Sequence, residues 1–316
     1  MIVEMLGVLL NLLLLRQLDN IHALSQHAQQ QNSVVMTMIV RDEEVNIRSN
    51  LPLWVPLIKY FVFMVDKRTS DGTVKAIEEI LKGKREFHIE MYNFDGFGPA
   101  RSASLKTAWN KFSQATHVWI TDPDWKPDVD TIDLTALDLS HDAFRFLIYD
   151  RNGQTTRRCD WLLLHRAGLK MRYHLHEVLD IGETYTWKVI GWVTREIEQR
   201  GSWHTSVGHT SSHASKRYIF DLNYLEKDLD VYGWDAHTHY YLGVTHHAYI
   251  EALANEGYAP GDGKDMLPSG RTFNDHLNLA LKYLKLRATA VYDREFIEER
   301  WGVMFLMGGI YSSMLV

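Results

Sequence analysis

Short apolar runs alternate with segments of helical periodicity through the first two thirds of the chain. Residues 34–40 and 60–65 are continuous apolar stretches, as expected for strands that are buried on both faces. The intervening segments carry apolar residues at helical spacing. This alternation is typical of a mostly parallel sheet with helices on both faces. The sequence therefore predicts one α/β domain over residues 33–215.

Two further strands are predicted over residues 87–91 and 116–121, the second ending at Asp122. Pro52 is expected to stop the first helix, because proline has no amide hydrogen and clashes with the preceding turn. The pattern then becomes antiparallel. Arg151-Asn152-Gly153 favours a hairpin turn between strands over residues 144–149 and 155–164. Later strands are predicted over residues 169–175 and 185–193, and a long loop over 201–213.

Helical periodicity dominates residues 216–316, which we interpret as a separate helical region. Gly243 and Gly308 follow similar apolar and aromatic residues, spaced close to two repeats of ~34 residues. The spacing favours a tetratricopeptide-like arrangement. The predicted helices cover residues 218–229, 237–254, 273–287 and 294–314, with a Gly- and Pro-rich loop over 257–270.

Residues 1–15 are almost wholly apolar, but as a helix they would reach only about 22 Å. That length is short of a hydrocarbon core of ~30 Å. A packing or peripheral helix, a signal anchor and a signal peptide all remain open for this segment. The Gln-rich residues that follow, up to residue 32, are interpreted as a linker.

Composition narrows the classes of function. The chain has 316 residues and a formal net charge of −6, with no Lys/Arg block, so a nucleic-acid-binding surface is not expected. The single cysteine, Cys159, excludes an intramolecular disulfide and fits a cytoplasmic location, with membrane association left open. Most of the 16 histidines are expected to be hydrogen-bonded structural residues.

Acidic residues recur where predicted strands end. Asp42 and Glu43 follow the first strand, Asp66 the second, and Asp122 and Asp124 the fourth. Ligands of open α/β sheets bind at this edge. If Asp122 and Asp124 continue the strand, they project to one side, and their oxygens suit Mg²⁺ or Mn²⁺. An isolated Asp-x-Asp is also compatible with a solvated acidic turn, and Asp66 with a helix cap.

The order of these motifs resembles the nucleotide-sugar-binding half of glycosyltransferase family 2. The resemblance covers roughly residues 33–190 and rests on the stretches 38–47, 65–73, 97–101 and 121–124. It implies a GT-A type, Rossmann-like fold, in the subgroup that carries tetratricopeptide-like helices after the catalytic domain. Ser102 and Trp125 depart from the usual pattern of the family, which leaves the preference for sugar and acceptor open.

The resemblance also implies roles for individual residues. Asp42, Glu43, Asp66 and Asp71 would bind the nucleoside, and Arg101 the diphosphate. Asp124, with Asp122, would hold Mg²⁺ or Mn²⁺, and His176 is a further candidate ligand. Glu177 is our candidate for the general base, with Asp180 as the alternative. Contacts with the cofactor or donor are thus expected at Asp42, Glu43, Asp66, Asp71, Arg101 and Asp122. Metal ligands are expected at Asp122, Asp124 and His176. Three further histidines could close over the site: His204, His209 and His213.

The predicted activity is inverting, metal-dependent transfer of a sugar from a nucleoside-diphosphate sugar to a hydroxyl acceptor on a glycan, lipid or protein. A sugar nucleotidyltransferase is the first alternative, although Arg41 and the residues after it lack the glycine-rich loop of such enzymes. The second is a catalytically silent scaffold whose helical region binds a protein partner. The donor sugar, its base, the acceptor and the oligomeric state are not determined by the sequence.

Overall fold

A computed structural model describes residues 33–149, 155–180, 186–195, 214–258 and 266–289, with residues 302–304, 306–308 and 310 near the C-terminus. The N-terminal segment 1–32, the hairpin turn 151–153 and the predicted loop 201–213 lie outside the described residues. So do most of the predicted helix 294–314 and the candidate closing histidines His204, His209 and His213.

Strands and helices alternate through the first half of the fold. The strands are β1 Val34–Val40, β2 Tyr60–Asp66, β3 Glu86–Tyr92, β4 His117–Thr121 and β5 Trp125–Pro127, and the helices are α1 Glu44–Trp54, α2 Thr73–Leu81 and α3 Phe97–Phe112. Leu134–Ala136 forms a 3-10 turn. The remaining strands are β6 Ala143–Tyr149, β7 Thr155–Leu164, β8 Met171–Arg172, β9 Val178–Leu179 and β10 Trp187–Arg195.

Within the part of the chain that the structure describes, eight strands form one mixed, mostly parallel sheet in the order β3-β2-β1-β4-β7-β6-β10-β5. The first four are parallel, with Val35 opposite both Tyr60 and Val118. Strand β7 pairs antiparallel with β4 and β6. The carboxyl ends of β1, β2 and β4 therefore meet at one edge, as the sequence predicted.

Alternate residues of the central strands enter two separate apolar clusters. On β2, Phe61 packs with α1 and α2, whereas Val62 packs with α3. Side chains of a strand point alternately to its two faces, so a strand that is apolar at every position must be covered on both sides. The prediction of helices on both faces is confirmed.

Three local predictions were wrong. Pro52 does not stop α1, which continues to Trp54, because near a helix end proline removes only one intrahelical hydrogen bond. Residues 169–175 do not form a long strand: only Met171–Arg172 is extended, and it pairs with β9 in a separate two-stranded sheet. Strand β10 joins the same sheet beside β6, as predicted, but it runs parallel to β6 and pairs antiparallel with β5 instead.

The C-terminal region contains helices α4 Ala214–Tyr232, α5 Ala236–Asn255 and α6 Phe273–Thr289. Gly243 lets α5 and α6 approach closely, since a Cβ there would lie 2.7 Å from Leu284 Cγ. A Cβ at Gly308 would meet nothing within 4 Å, so the two glycines differ in their surroundings. The tetratricopeptide-like repeat stays a prediction. No described helix has the length and apolar character needed to cross a bilayer.

A buried histidine pair joins α5 to α6. Nδ1 of His246 lies 2.8 Å from Nδ1 of His276, and Nε2 of His276 lies 2.6 Å from Ser269 Oγ. Burial lowers the pKa of His246 to about 3, and the pKa of His276 to about 4, with the charge of Arg271 contributing to both. Both rings are therefore neutral in the folded protein at neutral pH.

This pair is expected to make the protein sensitive to acid. Because unfolded histidine has a pKa near 6.5, the unfolded chain binds more protons as the pH falls below that value, and stability is lost towards pH 4. The loss should be on the order of several kcal/mol. Urea unfolding between pH 7 and 4.5 should show a weaker pH dependence in a His246→Asn, His276→Asn double variant. His247→Asn, on the partly exposed side of α5 near Glu251, is the control that should keep it.

Candidate functional site

The acidic edge of the sheet is formed by the ends of β1, β2 and β4. The turn that carries Asp122 and Asp124 follows β4, which ends at Thr121. Helix α1 holds this turn, since Asn50 Nδ2 donates to the carbonyl of Pro123 at 2.7 Å and Trp54 Nε1 donates to that of Trp125 at 3.1 Å. The sequence predicted that the two aspartates continue the strand, but they lie in a turn after it. A turn anchored by α1 positions them.

Glu43 is a buried carboxyl group at this edge. It is 6% exposed, and Asn46 Nδ2 donates to its Oε2 at 2.6 Å. Burial raises the pKa of Glu43 to about 8, and the charges of Asp124, Asp122 and Asp71 raise it further, against the lowering effect of Asn46. Glu43 is therefore largely protonated, and so uncharged, at neutral pH.

Asp42 and Asp71 are engaged with the backbone around them. Asp42 has a φ of 50°, and its Oδ1 accepts from the amide of Ser70 at 2.7 Å. Asp71 Oδ1 accepts from the amide of Thr73 at 2.9 Å, while Oδ2 accepts from that of Glu44 at 3.0 Å. Asp71 thus satisfies amides at the starts of α1 and α2. A contact of either aspartate with a nucleoside stays a prediction.

Asp66, the last residue of β2, is clamped by Arg68. Arg68 donates from its amide at 2.9 Å and from its guanidinium Nη2 at 2.5 Å. Burial alone would raise the pKa of Asp66, but the hydrogen bonds and charge of Arg68 outweigh it and lower the pKa. Asp66 is therefore ionised and fixed in orientation at this edge of the sheet.

Arg101 joins the acidic edge to a distant part of the chain. It lies on α3, which begins at Phe97 and accommodates Pro99 in its first turn, where the amide hydrogen that proline lacks has no intrahelical partner. The residue is 3% exposed, with Nη2 donating to Asp122 Oδ1 at 2.8 Å and Nε to Glu177 Oε1 at 2.5 Å. Burial would lower the pKa of Arg101, but the two carboxylates outweigh it and raise the pKa. One buried guanidinium thus neutralises both.

The segment that carries Glu177 connects β8 to β9. His176, directly before it, has a φ of 54°, and its ring stacks on that of Tyr241 with the centroids 3.6 Å apart. Its carbonyl lies 3.0 Å from Nε2 of His237. Asp180, the alternative base, is more exposed and pairs with Lys170 at 3.1 Å. The structure brings Glu177, but not Asp180, to Arg101.

Among the described residues, no group of three or more His, Cys, Asp or Glu side chains is arranged to hold a metal ion. The combination of Asp122, Asp124 and His176 therefore does not form a ready-made ligand set. A role for His176 as a ligand stays a prediction.

Four residues that the sequence did not single out form hydrogen bonds with the segments of this site: Asn50, Arg68, Asp228 and His237. Arg68 follows Asp66 by two positions, a spacing that could have suggested the pair. Asn50 is a buried polar residue on the apolar side of α1, which is the kind of irregularity that marks a structural contact. Asp228 and His237 act across more than 50 residues and leave no local signal.

No protein-family model matches the chain. No curated protein sequence matches it either. Among solved structures, S. aureus TarS aligns at 20% identity and a TM-score of 0.31, over 40% of this chain and 23% of the TarS chain. This chain therefore corresponds to less than a quarter of that TarS chain.

Two other similar structures align over a larger share of both chains. S. aureus TarS 1–349 in complex with UDP-GlcNAc aligns over 80% of this chain and 81% of that one, at 13% identity and a TM-score of 0.40. HddC from Yersinia pseudotuberculosis aligns over 52% of this chain and 93% of that one, at 11% identity and a TM-score of 0.33. Similarities at this level assign no function to the chain.

Proposed function

We propose that the protein is an inverting glycosyltransferase that transfers a sugar from a nucleoside diphosphate to a hydroxyl acceptor. The observation that carries the proposal is Arg101, whose buried guanidinium binds Asp122 at the acidic edge and Glu177 from the opposite segment. This pairing sets a donor-side carboxylate and a candidate base on two sides of one fixed group. The family 2 resemblance of the sequence supports the same assignment.

In the proposed reaction, an acceptor hydroxyl attacks the anomeric carbon of the donor sugar. The new carbon–oxygen bond forms as the bond to the diphosphate breaks, and the nucleoside diphosphate leaves with the bonding electrons. Glu177 takes the hydroxyl proton. Attack from the face opposite the leaving group inverts the anomeric centre. Arg101 orients the Glu177 carboxylate through Nε.

The acidic edge fits a divalent cation. Mg²⁺ usually binds through one or two carboxylates together with substrate phosphates and waters, so it does not need a complete protein cage. Burial is the main cause of the raised pKa of Glu43, and the charges of Asp124 and Asp122 raise it further, so a cation between these carboxylates would relieve their repulsion. In the proposal Asp124 and Asp122 hold Mg²⁺ or Mn²⁺. When bound, the ion would neutralise charge that develops on the departing diphosphate.

The proposal predicts that donor binding depends on the metal. In a panel of nucleoside-diphosphate sugars, at least one donor at 100 times its Kd should raise the melting temperature by about 5 °C in Mn²⁺ or Mg²⁺, and little in chelator. Asp124→Ala should abolish the difference. Asp130→Ala changes an exposed aspartate on the same segment and should retain it.

Several results would contradict these assignments. An equal melting shift in chelator for the unmutated protein would exclude the metal. If no nucleotide sugar in the panel were bound, hydrolysed or transferred, the proposed function would be wrong. Turnover of a nucleoside triphosphate with a sugar phosphate would instead indicate a sugar nucleotidyltransferase.

We further propose a division of the chain into three parts, together with the classes of acceptor. We assign residues 33–215 to the catalytic domain and residues 216–316 to a tetratricopeptide-like region that is available to a protein partner. Residues 1–32 are proposed as an apolar segment and linker that contacts a membrane peripherally. The acceptor could be a glycan, a lipid or a protein, since each presents the hydroxyl that the reaction requires.

A further inference from the structure

The connection between β8 and β9 is held in a conformation that the chain would not favour alone. Tyr173 has a φ of 67° and His176 a φ of 54°, so two residues with side chains adopt the left-handed region within four positions. Such a conformation is unfavourable for a residue with a side chain and persists only where the surrounding structure enforces it. Glu177 follows directly, so its position depends on whatever holds this connection.

Helix α3 supports the connection from one side. The amide of Phe97 donates to the carbonyl of His174 at 2.6 Å. The chains approach so closely that a Cβ on Gly98 would lie 1.9 Å from the carbonyl oxygen of Tyr173. Only glycine is compatible with this contact, which fixes the connection against the start of the helix that carries Arg101.

The C-terminal helices support it from the other side. Asp228 on α4 is fully buried and accepts from the amide of His174 at 2.7 Å, from that of Leu175 at 3.4 Å, and lies 2.7 Å from Nδ1 of the His174 ring. The amide of Tyr173 donates to the hydroxyl of Tyr232 at 3.2 Å. These contacts come from residues more than 50 positions further along the chain.

We infer that Asp228 is a positioning residue, through which the helical region sets the orientation of Glu177 in the active site. This inference rests on the proposed function. Asp228 satisfies backbone amides that a strained connection would otherwise leave buried without acceptors. The helical region is then part of the catalytic machinery, in addition to any partner it binds. A displacement of about 1 Å at a catalytic group can cost roughly 10²-fold in rate.

The test is Asp228→Asn in the full-length protein. The variant keeps the side-chain volume but replaces one acceptor oxygen by a donor, facing amides that also donate. We expect kcat to fall about ten- to hundredfold, with donor Kd changed less than about threefold. Amide hydrogen exchange in a peptide covering residues 171–179 should become faster. Asp230→Asn, an exposed residue on the same helix, is the matched control and should change neither quantity.

A double-variant cycle separates positioning from a general structural effect. If Asp228 acts through Glu177, Asp228→Asn should lower transfer less than about twofold in a Glu177→Gln background, because the base is already lost. Tyr232→Phe is a milder variant that removes one contact and should lower kcat by a smaller factor while the protein remains folded.

The outcomes distinguish this inference from the proposed function. If the unmutated protein transfers sugar and Asp228→Asn retains its kcat, the positioning role is wrong and the function stands. Additive losses in the double variant would also overturn the role. If the unmutated protein transfers no sugar, the proposed function fails, and with it the role of Asp228 in transfer. The exchange measurement still reports whether Asp228 holds the connection.

Discussion

Glu177→Gln should lower sugar transfer by at least ~10²-fold while donor affinity changes little. The loss corresponds to about 2.7 kcal/mol of activation free energy at 1.36 kcal/mol per decade. Glutamine keeps an acceptor oxygen for Arg101 Nε, so the local shape is preserved and only the basicity is lost. Steady-state transfer rates measured together with calorimetric donor binding would separate the two effects.

Asp180→Asn is the comparison that locates the base. Asp180 is paired with Lys170 on the β8–β9 hairpin and does not contact Arg101, so its replacement should leave transfer within about twofold. Normal transfer by Glu177→Gln, with none by Asp180→Asn, would assign the base to Asp180. If both variants transferred normally, the catalytic carboxylate would lie elsewhere. Weakened donor binding in Glu177→Gln would indicate a structural role instead.

Arg101→Met should be the most destabilising single substitution at the site. It leaves Asp122 and Glu177 without the buried cation between them, and breaking a buried pair costs about 3–5 kcal/mol. For a chain of this size we expect the melting temperature to fall by about 10 °C. Differential scanning calorimetry at pH 7 would measure the shift.

Arg48 is a matched control for the geometry of this contact. It also bridges two carboxylates, those of Glu44 and Glu79, at 2.9 Å each, but its side chain is 42% exposed. Solvent screens such pairs, so Arg48→Met should lower the melting temperature far less than Arg101→Met does. A similar loss at both positions would contradict the importance of burial.

A second control neutralises the two carboxylates that Arg101→Met leaves without a buried cation. In the Arg101→Met background, Asp122→Asn and Glu177→Gln should recover part of the lost stability, because neutral groups are cheaper to bury than unpaired carboxylates. Further destabilisation by these two substitutions would show that Arg101 contributes through packing and not through charge.

The sequence alone determined the periodicity of the chain and the placement of its acids. Continuous apolar runs required β1, β2 and β4 to be covered on both faces, and parallel pairing then brought Asp42, Asp66 and Asp122 to one edge. These conclusions follow from the two-residue period of strands and from the rule that parallel strands end together, both of which are visible in local patterns.

Tertiary structure decided which elements pair at long range. Strand β10 was predicted in the right part of the chain, but its position between β6 and β5, parallel to the first and antiparallel to the second, is a long-range arrangement that the local pattern does not specify. Likewise, the alternating apolar and polar residues 169–175 suggested a strand, but contacts with α3 and α4 hold most of them in an irregular connection. Local periodicity contains no information about such contacts.

At the site, too, some residues could be recognised from the sequence, whereas their contacts depend on the fold. Asp122, Arg101 and Glu177 could each be singled out from the sequence, yet the single guanidinium that joins them is a product of the fold. Asp228 had no sequence signal at all, because it lies 54 residues from His174 and resembles any other aspartate on an amphipathic helix. Residue types indicate which chemistry a side chain can perform. The contacts that orient it and balance its charge form only when segments that are distant in the sequence pack together.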